Sequence, residues 1–343
     1  MKMKKTIILI AAALAAVSCA KSVSLGTNEL AKKYFDAWAS QHCEGITPTP
    51  LGSYVLSYED GDGVCIDDSL YLRMHYTITD LDGTISSSSR EEVSKQLGEY
   101  SANNYYGPEV QYRGDYSLYA GIEELLSGAH VGMKVRAVVP GWLQSTTAYE
   151  TAQEYIDNVT GTDTIYDLEI IEAFNDVVRW EIDSLVRYLA VNYPSVNPAD
   201  TTDESEFNKY GFYLVKTKLT DCPDSTYTAD TQVYLNYTAS LPDGRIVDTT
   251  IEKTAKDAGL YSSSTSYGPT YVTWADEYSE MTLGSSESSA IDGFLYAVSK
   301  MQPHEKATAI FYSGLGYGSS GSGTTIPAYS PMIFELELVD SEE

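Results

Sequence analysis

The chain contains an internal repeat. From Tyr71 it reads Y-L-R-M-H-Y-T-I-T-D-L-D-G-T-I, and from Val233 it reads V-Y-L-N-Y-T-A-S-L-P-D-G-R-I. Tyr76-Thr77 matches Tyr237-Thr238 and Asp82-Gly83 matches Asp243-Gly244, both displaced by 161 residues (237 − 76 and 243 − 82). Tyr106-Gly107-Pro108 matches Tyr267-Gly268-Pro269 at the same displacement. Farther on, Gly121 matches Gly293 and Lys134 matches Lys306, displaced by 172 (293 − 121 and 306 − 134), so the second copy has gained a loop. Two copies at so long a period mean one domain fold used twice, and exclude a solenoid of short repeats. In each copy an alternating run enters an Asp-Gly turn, the signal of an antiparallel hairpin. At 343 residues, 43% of them hydrophobic, the chain is long enough to bury two such cores.

The elements around the repeat follow from periodicity. Leu30, Tyr34, Phe35 and Trp38 recur at helical spacing and predict a helix from Asn28 to Ser40, broken by Thr47-Pro48-Thr49-Pro50. A strand at Tyr54–Tyr58 precedes the acidic loop Glu59-Asp60-Gly61-Asp62-Gly63, which lacks the closing ligands of a calcium loop and reads as a solvated turn. Between the copies, Val178, Ile182, Leu185, Val186 and Leu189 predict an amphipathic packing helix over Asn175–Asn192, with Asn175 as N-cap. Tyr193–Phe207, with two prolines and an acidic cluster, reads as the linker. Near the end, Ile291, Phe294, Leu295 and Val298 mark a short apolar helix. A turn at Gln302-Pro303-His304, a strand at Lys306–Tyr312, a glycine-serine loop and a strand at Met332–Leu338 follow.

The order Ile291-Asp292-Gly293-Phe294, Gly316-Tyr317-Gly318, Ile326-Pro327-Ala328 and Phe334-Glu335-Leu336-Glu337-Leu338 resembles the C-terminal half of FKBP-type peptidyl-prolyl cis/trans isomerases. Phe294 stands for the family's tryptophan and Ala328 for its second proline. The resemblance covers roughly 50–172 and 208–340. It implies an α+β chain of two tandem FKBP-like domains, each an antiparallel curved half-barrel around a short helix and each preceded by a helix. The divisions are then a degenerate domain over 28–174, a helix and linker over 175–207, and an isomerase domain over 208–343.

The resemblance also implies a pocket, residue by residue, in the second copy. Tyr237 takes the strand tyrosine, and Val247-Asp248 stands where the family has Phe-Asp. Ile291 directs its backbone N–H at a substrate carbonyl, Phe294 forms the floor, Tyr317 offers its hydroxyl, and Ile326 and Phe334 close the walls. In the first copy Tyr76 and Tyr166 remain. The Phe-Asp site there reads Ser86-Ser87, Trp142-Leu143-Gln144-Ser145 replaces the tyrosine loop, and no Ile-Pro precedes the last strand. The function implied is an isomerase and folding helper acting on proline-containing unfolded or extended polypeptides, with the second domain active and the first degenerate, and with no cofactor or metal. Two other classes stay open. One is a non-catalytic peptide- or partner-binding module, favoured by Val247 and by an insertion over about 253–289 placed to cover the cleft. The other is a glycan-binding envelope protein using its 29 tyrosines to stack sugars.

Competing chemistries lack their residues. Gly316-x-Gly318-x-x-Gly321 matches a dinucleotide pattern, yet Ile326-Pro327 and a strand follow where a helix is needed. Four histidines occur (His42, His75, His130, His304) with no H-E-x-x-H spacing, and no G-x-S-x-G elbow is present.

The N-terminus gives an address. Lys2, Lys4 and Lys5 precede an apolar run from Ile7 to Val17, too short to span a bilayer, so residues 1–18 read as a signal peptide. Ala16-Val17-Ser18-Cys19 resembles a bacterial lipobox, which implies lipidation of Cys19, a tether over 19–27, and anchoring to the cell envelope, at the outer membrane facing the periplasm. Without residues 1–18 the chain keeps 19 basic (22 − 3) and 49 acidic residues, a net −30. That surface repels nucleic acid and anionic headgroups, so attachment rests on acyl chains. Beyond Cys19 the cysteines are Cys43, Cys65 and Cys222. A Cys43–Cys65 bridge is permitted, one thiol is left over, and no C-x-x-C occurs.

Overall fold

The computed structural model describes residues 26–114, 117–196, 211–285 and 290–341. The signal segment, Cys19 and nearly all of the tether lie outside the described residues, as does most of the linker (197–210). Among the described residues no helix is long and apolar enough to cross a membrane.

The first unit runs α1 (Thr27–His42), β1 (Tyr54–Glu59), β2 (Tyr71–Asp80), β3 (Ile85–Ser88), α2 (Glu91–Leu97), β4 (Glu109–Tyr112), α3 (Ala120–Leu126), β5 (Lys134–Val139), α4 (Ala152–Asn158) and β6 (Thr164–Phe174). A linking helix, α5 (Val177–Asn192), leads to the second unit. That unit comprises β7 (Phe212–Lys218), β8 (Gln232–Ser240), β9 (Ile246–Thr249), α6 (Glu252–Asp257), β10 (Thr270–Thr273), β11 (Thr282–Leu283), α7 (Asp292–Ser299), β12 (Lys306–Phe311) and β13 (Met332–Val339). The first sheet has the order β1-β5-β6-β2-β3, with β4 also on β2. The second has the order β11-β10-β8-β13-β12-β7, with β9 also on β8. All these pairings are antiparallel. Replacing β1, β2, β3, β4, β5 and β6 by β7, β8, β9, β10, β12 and β13 converts the first sheet into the second, which adds β11 beside β10, and neither closes into a barrel. The repeat in sequence is therefore a repeat in topology.

The equivalences hold to the residue. Tyr76 pairs with Leu168 across β2 and β6, and Tyr237 with Leu336 across β8 and β13. Both Asp-Gly turns close alike: the Asp82 carboxylate accepts the Thr84 N–H at 2.9 Å, and Asp243 accepts that of Arg245 at 2.9 Å. Gly83 and Gly244 sit at φ 94° and 88°, a backbone region that favours glycine.

Each sheet packs a short helix against one face. α7 buries Phe294, Leu295, Ala297 and Val298 with Phe212, Phe311 and Leu336, and α3 buries Ile122, Leu125 and Leu126 with Leu168 and Val139. Each large side chain of this kind contributes roughly 1.5–3 kcal/mol by leaving water. The shared glycine marks the close approach of helix to strand. A Cβ on Gly293 would meet the Phe311 ring at 2.6 Å, and one on Gly121 would meet Val139 Cγ1 at 2.3 Å.

The longer helices introduce their units in the same way. α5 buries Leu185 and Leu189 against Tyr213, Ile310 and Ile333, and α1 buries Phe35 and Ala39 in the first core, with Phe35 6.0 Å from Tyr54. Tyr54 and Tyr213 are equivalent by register, opposite Val138 and Ile310. The sequence expectation is corrected in two details. Leu30 and Tyr34 face solvent, because the buried stripe of α1 is Phe35 and Ala39. The N-cap of α5 is Asp176, which accepts the Arg179 N–H at 2.9 Å, while the Asn175 side chain accepts the Leu70 N–H instead.

Two further expectations are revised. Cys43, Cys65 and Cys222 are free thiols, Cys43 buried within the first core and Cys65 exposed. The stretch 253–289 is not one insertion, because α6 and β10 have counterparts in α2 and β4. The added segment carries Trp274, Tyr278 and β11, and Tyr278 packs edge-on to Tyr296 of α7 at 5.1 Å.

Candidate functional site

Strand alternation assembles the site of the second unit. Ala239 pairs with both Asp248 on β9 and Phe334 on β13, so Tyr237, two residues from Ala239, shares one sheet face with both. The Tyr237 hydroxyl donates to Asp248 Oδ2 at 2.5 Å. Its ring stands 5.7 Å from that of Phe294 at 73° and 5.9 Å from that of Phe334, and Phe294 meets Phe334 at 5.4 Å and 60°. Edge-to-face and tilted packing of this kind holds the three rings in fixed positions against one another, with Phe294 and Phe334 buried. Phe311 stacks behind Phe334 at 5.7 Å and 13°.

Polar groups rim this box. Asp248 is exposed, with Oδ1 accepting its neighbour Thr249's N–H at 2.8 Å. Burial, then the adjacent Asp248 carboxylate, push the Tyr237 hydroxyl far above the ordinary tyrosine range, so it stays neutral and donates. The same two causes raise Tyr317, whose ring lies at the mouth, 36% exposed. Ile291 is the N-cap of α7, its carbonyl taking the N–H groups of Phe294 and Leu295 at 3.1 and 3.3 Å. Ile326 is buried in the core beside the cleft, and Val247 packs half-buried against the same core. Tyr237, Asp248, Phe294, Tyr317 and Phe334 are thus gathered on one face, while Ile291, Ile326 and Val247 form its surroundings.

The first unit has a cleft at the same place, a cavity of about 300 Å³ lined by Tyr76, Ser87, Tyr119, Ile122, Tyr166 and Leu168. Its chemistry differs. The position of Asp248 holds Ser87, and the Tyr76 hydroxyl donates instead to Glu109 on β4 at 3.0 Å. Burial first, then Glu109, raise that hydroxyl to about 12. Tyr166 spends its hydroxyl on Gln144 at 2.9 Å.

One group elsewhere has metal-ligand chemistry. Among the described residues, Asp221, Cys222 and His304 bring one ligand atom each within 4.8 Å of one another. His304 Nδ1 and Nε2 lie 2.5 and 2.6 Å from Asp221 and Asp340, and the hydrogen bonds to Asp340 and Asp221 raise the ring's pKa. The His304 ring thus bridges two carboxylates within this cluster.

Side chains that the sequence reading passed over also touch the site. Glu181 of α5 is fully buried and accepts from Ser313, and Asn104 and Tyr105 of the first unit reach the loop that carries Ile326. A signal for Glu181 was present, since it shares the 181-185-189 stripe with two buried leucines. For Asn104 and Tyr105 no sequence signal exists.

In the second unit an antiparallel sheet thus packs on a short helix, with Tyr237, Phe294 and Phe334 in contact between them and Asp248 at the rim. Residues 224–339 match the family model described as FKBP-type peptidyl-prolyl cis-trans isomerase. The match lies within the second unit. The human peptidyl-prolyl cis-trans isomerase FKBP9 is 27% identical over 271 residues, 79% of this chain and 34% of that protein. The bovine protein of the same name is likewise 27% identical over the same shares. The chain thus spans about a third of the length of the curated relatives it matches. Among solved structures, a peptidyl-prolyl cis-trans isomerase of Pseudomonas syringae is similar at 19% identity and a TM-score of 0.30, covering 49% of this chain and 94% of that one. The three FKBP domains of wheat FKBP73 are similar at 16% identity and a TM-score of 0.28, covering 84% and 94%.

Proposed function

We propose that the second unit catalyses cis/trans isomerisation of X–Pro bonds in unfolded or extended polypeptides, and that the first unit has lost this activity. The observation that supports it best is the Tyr237–Phe294–Phe334 box with the Tyr237–Asp248 hydrogen bond at its edge. An X–Pro bond prefers trans by only ~0.5–1 kcal/mol, yet its rotation faces ~18–20 kcal/mol of amide resonance. Resonance separates charge onto nitrogen and oxygen, and water stabilises that charge. An apolar ring box withdraws water from the imide and so favours the twisted, less polar transition state. No covalent step is required. Tyr237 fixes Asp248 as an acceptor at the rim, Tyr317 presents a hydroxyl to the peptide, and Phe294 and Phe334 hold the proline ring. In the first unit Ser87 replaces the carboxylate, and Tyr76 is drawn to Glu109.

The lipobox-like Ala16-Val17-Ser18-Cys19 and the acidic mature chain support an exported, lipid-anchored protein serving other exported proteins. The decisive experiment is catalysis of proline-limited refolding by the chain from Cys19 onward, beside a Phe294→Ala, Tyr317→Ala double variant. Catalysis by the first and its loss in the still-folded second is the expected result. A folded wild-type chain without catalysis overturns the isomerase reading and leaves a peptide-binding module. Anchoring is checked by Cys19→Ala, which is expected to release the protein from the membrane fraction.

A further inference from the structure

The loop from Ser313 to Ser330 carries Tyr317 and Ile326, and it is rich in glycine. It contains glycine at 314, 316, 318, 321 and 323, residues that lose much conformational entropy on ordering. Its internal backbone bonds tie it into tight turns, among them Gly318 N–H to Ser313 at 2.8 Å, Tyr329 N–H to Gly318 at 2.9 Å and Ser322 N–H to Ile326 at 2.7 Å, and they leave its seating on the rest of the chain to other contacts. Several of its firmest anchors come from outside the second unit. At its start the Glu181 carboxylate accepts the Ser313 N–H at 2.6 Å and the Ser313 hydroxyl at 2.8 Å. Midway, Thr324 accepts the Tyr105 N–H at 2.7 Å through its carbonyl and donates its hydroxyl to Asn104 Oδ1 at 2.7 Å. Arg245, just before β9, donates to the Asn104 carbonyl and lies against the Tyr105 ring. Near its end Tyr329 packs edge-on to Tyr71 at 5.5 Å.

The repeat supplies an internal control. By the strand registers Ser313 corresponds to Gly141, and by the helix faces Glu181 corresponds to Ala31, four residues before the buried Phe35 as Glu181 is four before Leu185. In the first unit the Gly141 N–H is also taken by a carboxylate, but from Asp163 within the unit, at 2.7 Å. The second unit has Pro331 at the position of Asp163 and draws its carboxylate from the helix that precedes it. The copy with the tyrosine loop is thus the copy whose loop is held from outside.

We propose that Glu181 of the linking helix, together with the Asn104–Tyr105 corner of the first unit, positions the 313–330 loop of the second unit. The shape of the second cleft then depends on the chain that comes before it. This gives the first unit a role that needs no activity of its own. Glu181 is a positioning residue, acting through Ser313 on Tyr317.

The inference rests on the second cleft being the isomerase site, and its test separates the two. In the full chain, Glu181→Ala is compared with Glu181→Gln, whose amide can still accept the Ser313 N–H and donate to the Ser313 hydroxyl. Hydrogen exchange is followed over the whole chain alongside kcat/KM. With Ala, amides in 313–330 are expected to exchange roughly tenfold faster or more while the β8–β13 core is unchanged, and Gln is expected to restore protection. Isomerase kcat/KM is expected to fall with Ala and recover with Gln. Unchanged exchange over 313–330 with Ala, or equal damage by Gln, overturns the proposal. Absence of isomerase activity in the wild type would remove the functional reading alone, since exchange still decides whether the loop is held.

Discussion

The Glu181 carboxylate makes a quantitative prediction, because it is buried without a cation. Burial, only partly offset by the bonds from Ser313, raises its pKa from the ordinary 4.5 to about 7. At about 1.4 kcal/mol for each pH unit, that rise amounts to roughly 3 kcal/mol. The sign follows from proton binding. Below about pH 4.5 both folded and unfolded chains hold the proton, and the full stability is present. As pH rises through about 7, the unfolded chain has already ionised at no cost while the folded chain must bury a charge, so stability is lost. Glu181→Gln removes the ionisation and keeps the size. The variant is expected to match wild type near pH 4.5 and to exceed it by roughly 3 kcal/mol by about pH 8. Urea unfolding of the full chain, followed on the transition of the second unit, reads the difference directly. Tyr329, whose own pKa rises partly through Glu181, is too high to titrate in that window. Parallel pH curves for the two proteins would show that Glu181 is ionised or solvated in the fold, and would refute the reasoning.

Other predictions are simpler. Gly293→Ala drives a Cβ into the Phe311 ring at 2.6 Å and is expected to destabilise the second unit by roughly 1–3 kcal/mol, read as a lower urea midpoint with the first unit unaffected. Tyr237→Phe leaves an exposed Asp248 that water can solvate, so the stability cost is expected to be only about 1 kcal/mol, while isomerase kcat/KM falls more than this cost implies. With Tyr237 intact, its raised pKa keeps the hydroxyl protonated, so turnover is expected not to titrate with it up to about pH 10.

Much of the architecture was legible because it depends on local pattern. The Asp-Gly turns, the alternating strands and the glycine shared at 121 and 293 identified a duplicated antiparallel domain, and the sheets repeat strand for strand apart from the added β11. The residues around Tyr237 were suggested by the family resemblance rather than by local pattern; in the structure, alternation along β8, β9 and β13 decides which of these strand side chains share a face. Boundaries and faces of the helices were less legible. Leu30 and Tyr34 fit a helical stripe as well as Phe35 does, and only the position of the sheet decides which stripe is covered. The Asn175 and Asp176 side chains are equally good caps by type, and the N–H of Leu70 across the sheet end claims the first.

What the chain determines by itself is therefore what periodicity and turn chemistry encode: two copies of one fold, with the richer set of polar and aromatic groups in the second. What tertiary structure decides is how the copies meet. A buried carboxylate such as Glu181 is stable only because Ser313, 132 positions away, turns two donors toward it, and no local pattern carries that pairing. Asn104 and Thr324 are separated by 220 positions, so their contact exists only once both sheets and the linking helix are in place.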